Sequence, residues 1–362
     1  MKLRKLFFTF CFVSLAAAGF ADDTDGLKKK FADAKSNLSS SLSSASEGML
    51  DQFEVILPEA NSLSGVQPDA YIGKLFPSLL PHLAVGINAS VTPVKAAFIS
   101  ENMDKISSAV STMFETTGAI SGSGDFSFDF KFPDTLPYPA ASLSARVGGI
   151  ILPFDIGLWG VTTGKIFHEK SIGNSPVFDF DYTAIGADLR YAVLEGDGLF
   201  PKISVGGGYQ FARQNIGVSF AKDFTLDSGF EDADGHKYTY TTDAKIDTAF
   251  NMKVDTHTFF GQVQVSKTLL IVTPYLGLKA LFTKSDCSYN WKYETYAEGN
   301  KIADLSDSAD IAYKHTFSEV GIQTQVFGGL SLNFALFQTS LNAAYNFSTQ
   351  MFTGSLGMNL KL

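Results

Sequence analysis

Residues 351–362, MFTGSLGMNLKL, alternate with a period of two. Phe352, Gly354, Leu356, Met358, Leu360 and Leu362 fall on one face, and Thr353, Ser355, Gly357, Asn359 and Lys361 on the other. Only an extended strand sorts such a pattern onto two sides. Residues 125–132, DFSFDFKF, do the same with four phenylalanines. The period of two continues through most of the chain beyond Asp125. It predicts strands over 82–91, 125–132, 139–150, 153–163, 177–193, 201–212, 214–224, 245–266, 271–292, 310–327, 332–347 and 350–362. Several of these exceed the ~9–11 residues that a tilted strand needs to cross a bilayer, whereas strands of soluble sandwiches usually run to ~5–6.

The start of the chain sets the compartment. Lys2, Arg4 and Lys5 form a cationic stretch, Leu6 to Ala18 an apolar one, and Ala18 or Ala21 ends a run of small residues suited to signal peptidase. Residues 1–21 read as a secretory signal peptide. Cys11 lies inside the apolar stretch with Phe12-Val13-Ser14-Leu15 still to follow, which argues against a lipid anchor. Cleavage removes three cations and no acids, so the net charge moves from −9 to −12. That balance disfavours nucleic acid, which needs a basic stripe. Cys287 alone survives cleavage, so neither an intramolecular disulfide nor a cysteine metal cluster can form. No later run of eighteen apolar residues offers a transmembrane helix. Yet 45% of the chain is hydrophobic and 33 residues are Phe, and this surplus needs a core or a lipid environment.

Residues 22–80 read differently. Leu27, Phe31, Ala34, Leu38, Leu42, Ala45, Met49 and Phe53 recur at helical spacing within a Ser- and Lys-rich background, a narrow stripe that predicts a weakly docked helix. Pro58, Gly65, Pro68, Gly73, Pro77 and Pro81 then interrupt the chain. A second helical stripe, Ile99, Met103, Ile106, Val110 and Met113, precedes the Gly118–Gly124 loop.

Connections differ in kind. Ile151-Leu152-Pro153, Glu195 to Gly198, Ser266-Lys267-Thr268 and Gly328-Gly329 read as tight turns. The stretches 164–176, 225–244 and 292–309 read as long polar loops. The pattern predicts an antiparallel transmembrane β-barrel over 81–362 of about 10–14 strands, with twelve the best reading. The number falls to ten if 201–224 is one strand and 125–132 lies outside the wall.

Alternation also assigns faces. In 245–260 the even positions, Phe250, Met252 and Val254 among them, are apolar, while Asp247, Asn251, Lys253, Asp255 and His257 occupy odd ones. Charge facing hydrocarbon costs ~2–4 kcal/mol near the midplane, so the odd set is expected in the lumen. The same argument places Arg146, Asp188, Arg190, Lys279 and Glu319 there. The apolar set changes parity near Thr183, Asn215 and Phe260, where a bulge, a turn or a strand end is expected. Inward charges either neutralise one another or line a solute path.

These features together resemble bacterial outer-membrane β-barrels of the porin-like class: signal peptide, alternating segments, unequal loops and a terminal strand. The chain ends on Leu362 where the class typically ends on an aromatic residue. A helical stretch before the first strand resembles the hatch of fatty-acid and hydrocarbon transporters, although that hatch's Asn-Pro-Ala motif is absent. The resemblance implies outer-membrane location, contact with outer-membrane lipid and insertion machinery, and an N-terminal plug.

Catalytic signals are weak. His82, His168, His236, His257 and His315 are scattered without metal-ligand spacing. Gly206-Gly207-Gly208 has no following Lys and reads as close packing rather than a phosphate loop. Asp232-Ala233-Asp234-Gly235 lacks the Glu of a calcium loop and reads as a turn. No enzyme activity, metal or cofactor is expected. The expected function is a channel or transporter for small solutes, hydrophobic ones included. The alternative is a surface interaction or structural protein without transport, carried by loops 225–244 and 292–309.

Overall fold

The structure is a computed structural model. It describes residues 56–74, 82–95, 134–162, 177–196, 199–231, 237–297, 300–314 and 322–362, together with scattered helical positions in 33–52 and 97–112. Strand 125–132 and Glu319 lie outside the described residues.

Among the described residues, eleven strands form one antiparallel sheet: β1 (Leu83–Lys95), β2 (Thr135–Gly148), β3 (Phe154–Thr162), β4 (Val177–Glu195), β5 (Lys202–Glu231), β6 (Lys237–Ser266), β7 (Val272–Ala297), β8 (Asn300–Lys314), β9 (Ile322–Phe334), β10 (Phe337–Asn346) and β11 (Met351–Lys361). Pairing of β1 with β11 and of β6 with β7 closes the sheet on itself. β8 and β9 share one place in the wall. β9 pairs with Val272–Phe282 of β7, and β8 with its continuation from Asp286 to Ala297. Ten strand positions therefore complete the barrel among the described residues, within the expected 10–14 and fewer than the best reading of twelve.

The hairpin expected about Arg213-Gln214-Asn215 is continuous strand within β5. Gly328-Gly329 lies inside β9, and the turn comes instead at Ala335-Leu336. Of the long loops expected, 225–244 is mostly ladder, paired from Lys202↔Ser266 up to Glu231↔Lys237, and 292–309 is the β7–β8 hairpin. Polar composition there marks strands that have left the membrane, not irregular chain.

One end, called proximal here, carries the short turns and joins both ends of the strand series. Leu83 and Leu362 exchange backbone hydrogen bonds of 3.0 and 2.8 Å, and Gly148 N donates to His82 O at 2.8 Å. The 30-residue strands β5 and β6 and the 26-residue β7 reach far beyond the others at the opposite, distal end.

The outer face of the proximal half is apolar. Ile87, Leu143, Leu158, Ile185, Leu278, Leu330, Leu341 and Leu356 are each between 55 and 63% exposed. Water does not tolerate a continuous belt of this kind on a monomer, and lipid does. Along β1 the outward apolar residues run from Val85 to Pro93, before Lys95. Nine residues at ~3.3 Å, tilted by about 40°, rise about 23 Å, close to the ~25 Å apolar band of transmembrane barrels.

The parity changes seen in the sequence are resolved by this belt. β4, β5, β6 and β7 alternate without slipping across Thr183, Asn215 and Phe260; the two register shifts recorded fall at Ala192/Leu194 and Tyr293/Thr295. What changes is the solvent. Below the boundary the outward positions are Ile185, Tyr209, Phe211, Phe259, Val263, Leu278 and Phe282. Above it they become Thr183, Arg213, His257, Asp255, Lys253, Asn251 and Lys284 on the same face. The inward face changes oppositely, from polar to Tyr182, Phe250, Met252, Val254, Tyr289 and Trp291, all buried. Beyond the bilayer, water lies outside, so the polar face turns outward and the interior becomes an apolar core. Phe250 and Tyr289 pack there at 6.2 Å between centroids, and Tyr138 meets Phe180 at 5.3 Å and Tyr182 at 5.7 Å.

Candidate functional site

At membrane depth the inward face is polar, built from small or amide side chains such as Asn88, Ser142, Gln210, Gln264, Gln325 and Ser340. Eight-stranded barrels are filled by their own side chains, and ten strands enclose more space. Here that space holds main chain. Residues 56–60 are helical, residues 61–74 continue as turns and irregular structure, and Ile56 to Tyr71 are almost entirely buried.

Contacts of this segment with the wall descend in order. Gln325 Nε2 donates to Glu59 Oε1 at 3.0 Å, and Thr353 Oγ1 reaches Glu59 O at 3.4 Å. Lys279 Nζ donates to Ser62 O at 2.7 Å, Asn88 Nδ2 to Leu63 O at 2.9 Å, and Ser142 Oγ to Ser64 O at 3.0 Å. Gln67 Nε2 donates to Asn359 Oδ1 at 3.0 Å, and Gln264 Nε2 to Gln67 O at 2.8 Å. Near the proximal end Lys361 and Asp69 form an ion pair, and Lys202 Nζ donates to Tyr71 O at 2.9 Å. Lys74 then pairs with Glu195 at 2.7 Å. Apolar burial accompanies these bonds: Leu63 packs against Tyr275, Phe327 and Ala344, with Val66 beside them, and Ile56, Leu57, Ala60, Ala70 and Tyr71 are buried as well.

A charge cluster fixes the wall beside this segment. Arg146 on β2, Asp155 on β3, and Asp188 and Arg190 on β4 come together because inward positions of neighbouring strands lie side by side, as in the pairs Arg146↔Gly157, Gly157↔Asp188 and Asp155↔Arg190. Arg146 Nη1 donates to Asp155 Oδ1 at 2.6 Å, and Nη2 to Asp188 Oδ1 and Oδ2 at 2.6 and 2.9 Å. Arg190 Nε and Nη2 donate to Asp155 at 2.9 Å each, and Nη1 to Asp69 O at 3.0 Å. The four side chains are at most 6% exposed. Two guanidinium groups thus face two carboxylates in forked geometry, which offsets the cost of burying the charges. Gly157 makes room for them; a Cβ there would lie 2.6 Å from Arg146 Cζ. Lys279 stands apart, its ammonium 5.1 Å from the ring centroids of both Phe260 and Phe327.

Arg146, Asp188, Arg190 and Lys279 therefore face the lumen. Asp247, Asn251, Lys253, Asp255 and His257 face outward, opposite to the side expected, because they lie distal to the lipid belt. Arg213 Nε donates to Asp255 Oδ1 at 2.7 Å, Lys253 pairs with Asp255 at 3.2 Å, Lys245 with Asp247 at 2.8 Å, and His257 Nδ1 lies 2.6 Å from Tyr209 Oη. Farther along the β7–β8 hairpin, hydrogen bonds from Lys301 and Lys292 hold the Glu294 carboxyl down at about 2. Asp155, Asp69, Glu59 and Lys361 were not singled out from the sequence. Asp155 carried a legible signal, an inward position two before Gly157 on an alternating strand; residues 56–73 carried none beyond their interruption by Pro and Gly.

A cavity of about 20 Å³ remains between the segment and the wall, lined by Asn61, Ser62, Trp159, Asp188, Phe260 and Lys279 among others. That is the space of about one water molecule. Among the described residues no group of three or more His, Cys, Asp or Glu is placed to hold a metal ion.

No family model and no curated protein sequence matches the chain. Solved structures with similar barrels include the outer-membrane protease OmpT of Escherichia coli, at 9% identity over 79% of this chain and 99% of that one, with a TM-score of 0.38. A major outer membrane protein of Thermus thermophilus matches at 8% identity over 78% and 99% of the two chains, with a TM-score of 0.33. A FadL homologue of Pseudomonas aeruginosa matches at 10% identity over 78% and 89%, with a TM-score of 0.22.

Proposed function

We propose that the protein is a bacterial outer-membrane channel or transporter for small solutes, in which residues 56–73 act as a displaceable plug. The observation that carries this reading is the chemistry of the plug–wall contact. Its polar part is made of hydrogen bonds and the ion pairs of Asp69 with Lys361 and Lys202 to a polar wall, beside the buried apolar side chains of Leu57 and Leu63. Asn61 Oδ1, Ser62 Oγ, Ser64 Oγ and Gln67 Oε1 are buried and make no hydrogen bond among the described residues. Water can replace each made bond at a net cost of only ~0.5–1.5 kcal/mol, while each buried unpaired group already costs ~1–3 kcal/mol. A plug held this way suits release into a hydrated lumen. An apolar core suits permanence.

In this reading the signal peptide is cleaved near Ala18 or Ala21, the outer-membrane insertion machinery places the barrel, the short turns face the periplasm and the long hairpins face outside. The proposed test is deletion of residues 22–73 behind the intact signal, with sugar uptake measured by liposome swelling. The deleted protein should still show heat-dependent gel mobility and should pass sugars several-fold faster than the full chain. A deleted barrel that inserts and stays as tight as the full chain would overturn the reading.

A second reading has its own observation. β5, β6 and β7 extend as continuous ladders well past the lipid belt, with a charged outer face and a packed inner one. Such a rigid projection suits a surface interaction protein, and an unchanged permeability after deletion would favour it.

A further inference from the structure

We infer that the plug is threaded from the distal mouth, so that the segment N-terminal to Ile56 stands at the long-hairpin end of the barrel and not on the side of the short turns. The inference concerns the polarity of the plug and holds whether or not the plug gates a solute. Two independent observations carry it.

The first is the order of contacts. Glu59 meets Gln325 and Thr353; Thr353 in turn lies 2.8 Å from Thr92, three residues short of the distal end of β1. Ser62 to Ser64 meet the middle of the wall, Gln67 meets Asn359 near the end of β11, Asp69 meets Lys361, and Lys74 meets Glu195 at the proximal end of β4. The chain thus runs from distal to proximal as its number rises. It leaves by the mouth at which β1 then begins, with Gly73 against His82. Residues before Glu59 must come from the other mouth or turn back through a lumen that is already filled.

The second observation excludes turning back. A Cβ on Gly48 would lie 2.8 Å from Asn102 Oδ1, so the helical segment around Gly48 packs on the connection that follows β1. Asn102 is seven residues beyond Lys95, the distal end of that strand. Seven residues reach at most about 25 Å. The 13 residues of β1 span about 43 Å, or about 33 Å along the barrel axis at a 40° tilt. Asn102, and Gly48 with it, cannot reach the proximal mouth.

The consequence is that, in a cell, the segment ahead of the plug faces the same side as the β5–β6 and β7–β8 hairpins. Anything that binds it from that side pulls on the plug directly. A partner on the short-turn side reaches only residues after Asp69.

Single cysteines in a Cys287→Ser background test the topology with a membrane-impermeant maleimide on intact cells. Ser40→Cys, at an exposed helical position, is compared with Ser348→Cys in the distal β10–β11 turn and Leu199→Cys in the proximal β4–β5 turn, where Leu199 is 94% exposed. Ser36→Cys is a second reporter should Ser40→Cys impair assembly, and heat-dependent gel mobility confirms insertion of each. Ser40→Cys is expected to label as fast as Ser348→Cys. Leu199→Cys should label only after the membrane is permeabilised, at least ten-fold slower before. Labelling of Ser40→Cys that follows Leu199→Cys overturns the inference. The comparison is internal, so it stands whichever way the barrel faces. The sugar-uptake result bears only on gating.

Discussion

Asp155→Ala is the substitution whose cost the structure specifies most closely. The carboxylate is fully buried and receives Arg146 Nη1 at 2.6 Å, Arg190 Nε and Nη2 at 2.9 Å each, and Ile72 N at 3.3 Å. Removing it turns a neutral group of two arginines and two aspartates into one of net positive charge, in a buried site. Breaking a buried pair by deleting one partner costs ~3–5 kcal/mol. Arg146 keeps Asp188, and Arg190 keeps Asp69 O and Gln264 Oε1 at 3.1 Å, so the lower end, ~3 kcal/mol, is expected. The assay is reversible urea unfolding from lipid vesicles, followed by tryptophan emission. Asp255→Ala is the control, because its partner Arg213 is 46% exposed and such surface pairs contribute ~0–1 kcal/mol. The substitution also removes the acceptor of Ile72 N and the main partner of Arg190, so leak through the barrel should rise. A loss at Asp155 no larger than the loss at Asp255 would refute the view of this cluster as a buried, matched network.

Gly65→Val should loosen the plug without harming the wall, because even a Cβ at Gly65 would lie 2.5 Å from the Trp159 ring; the expected result is faster sugar uptake and altered tryptophan emission with unchanged heat-dependent mobility. Glu294 sits below its ordinary value because of Lys301 first and Lys292 second. Its contribution to the β7–β8 hairpin is therefore complete above pH about 4.5 and lost as pH falls toward about 2. An NMR titration of its carboxyl should show that midpoint, and Lys301→Met should move it upward; a midpoint already at 4.5 contradicts the contact. Val263→Arg, on the lipid-facing side of β6 at 49% exposure, should cost ~2–4 kcal/mol and depress insertion. Asn251→Arg, on the same face beyond the belt, should be tolerated, and equal damage from both would contradict the boundary.

The barrel was legible in the sequence because a strand pattern of period two survives any register. Strand number was legible only as a range of about 10–14 that includes the ten positions observed, since it depends on which turns exist. Arg213-Gln214-Asn215 is polar and resembles a turn, yet pairs without interruption with Lys253 to Asp255. Gly328-Gly329 resembles a turn and is strand. The faces of β7, with Leu276, Leu278 and Phe282 outward and Lys279 inward, could be read because that stretch lies within lipid. Those of 245–260 came out reversed, because the rule that polar residues point inward holds only where hydrocarbon is outside. Asp188 and Arg190 were readable as inward charges, but their partners Arg146 and Asp155 arrive from other strands, and a single sequence does not state register. Residues 56–73 inside the barrel offered the least signal. Their hydrogen bonds use main-chain carbonyls of Ser62, Leu63 and Ser64, which any sequence possesses.

The central claim is a barrel whose wall meets lipid only up to a boundary near Phe259, with its polar lumen inside. Single-cysteine scanning of β6 with a lipid-confined reagent tests it most directly, in a Cys287-free background. The odd positions Phe259, Gly261, Val263 and Val265 are expected to label from lipid. Asn251, Lys253 and Asp255 should label only from water, and the even positions Phe250, Val254 and Gln264 from neither. Lipid labelling of Val254 or Phe250, or its absence at Val263 and Val265, would contradict the account.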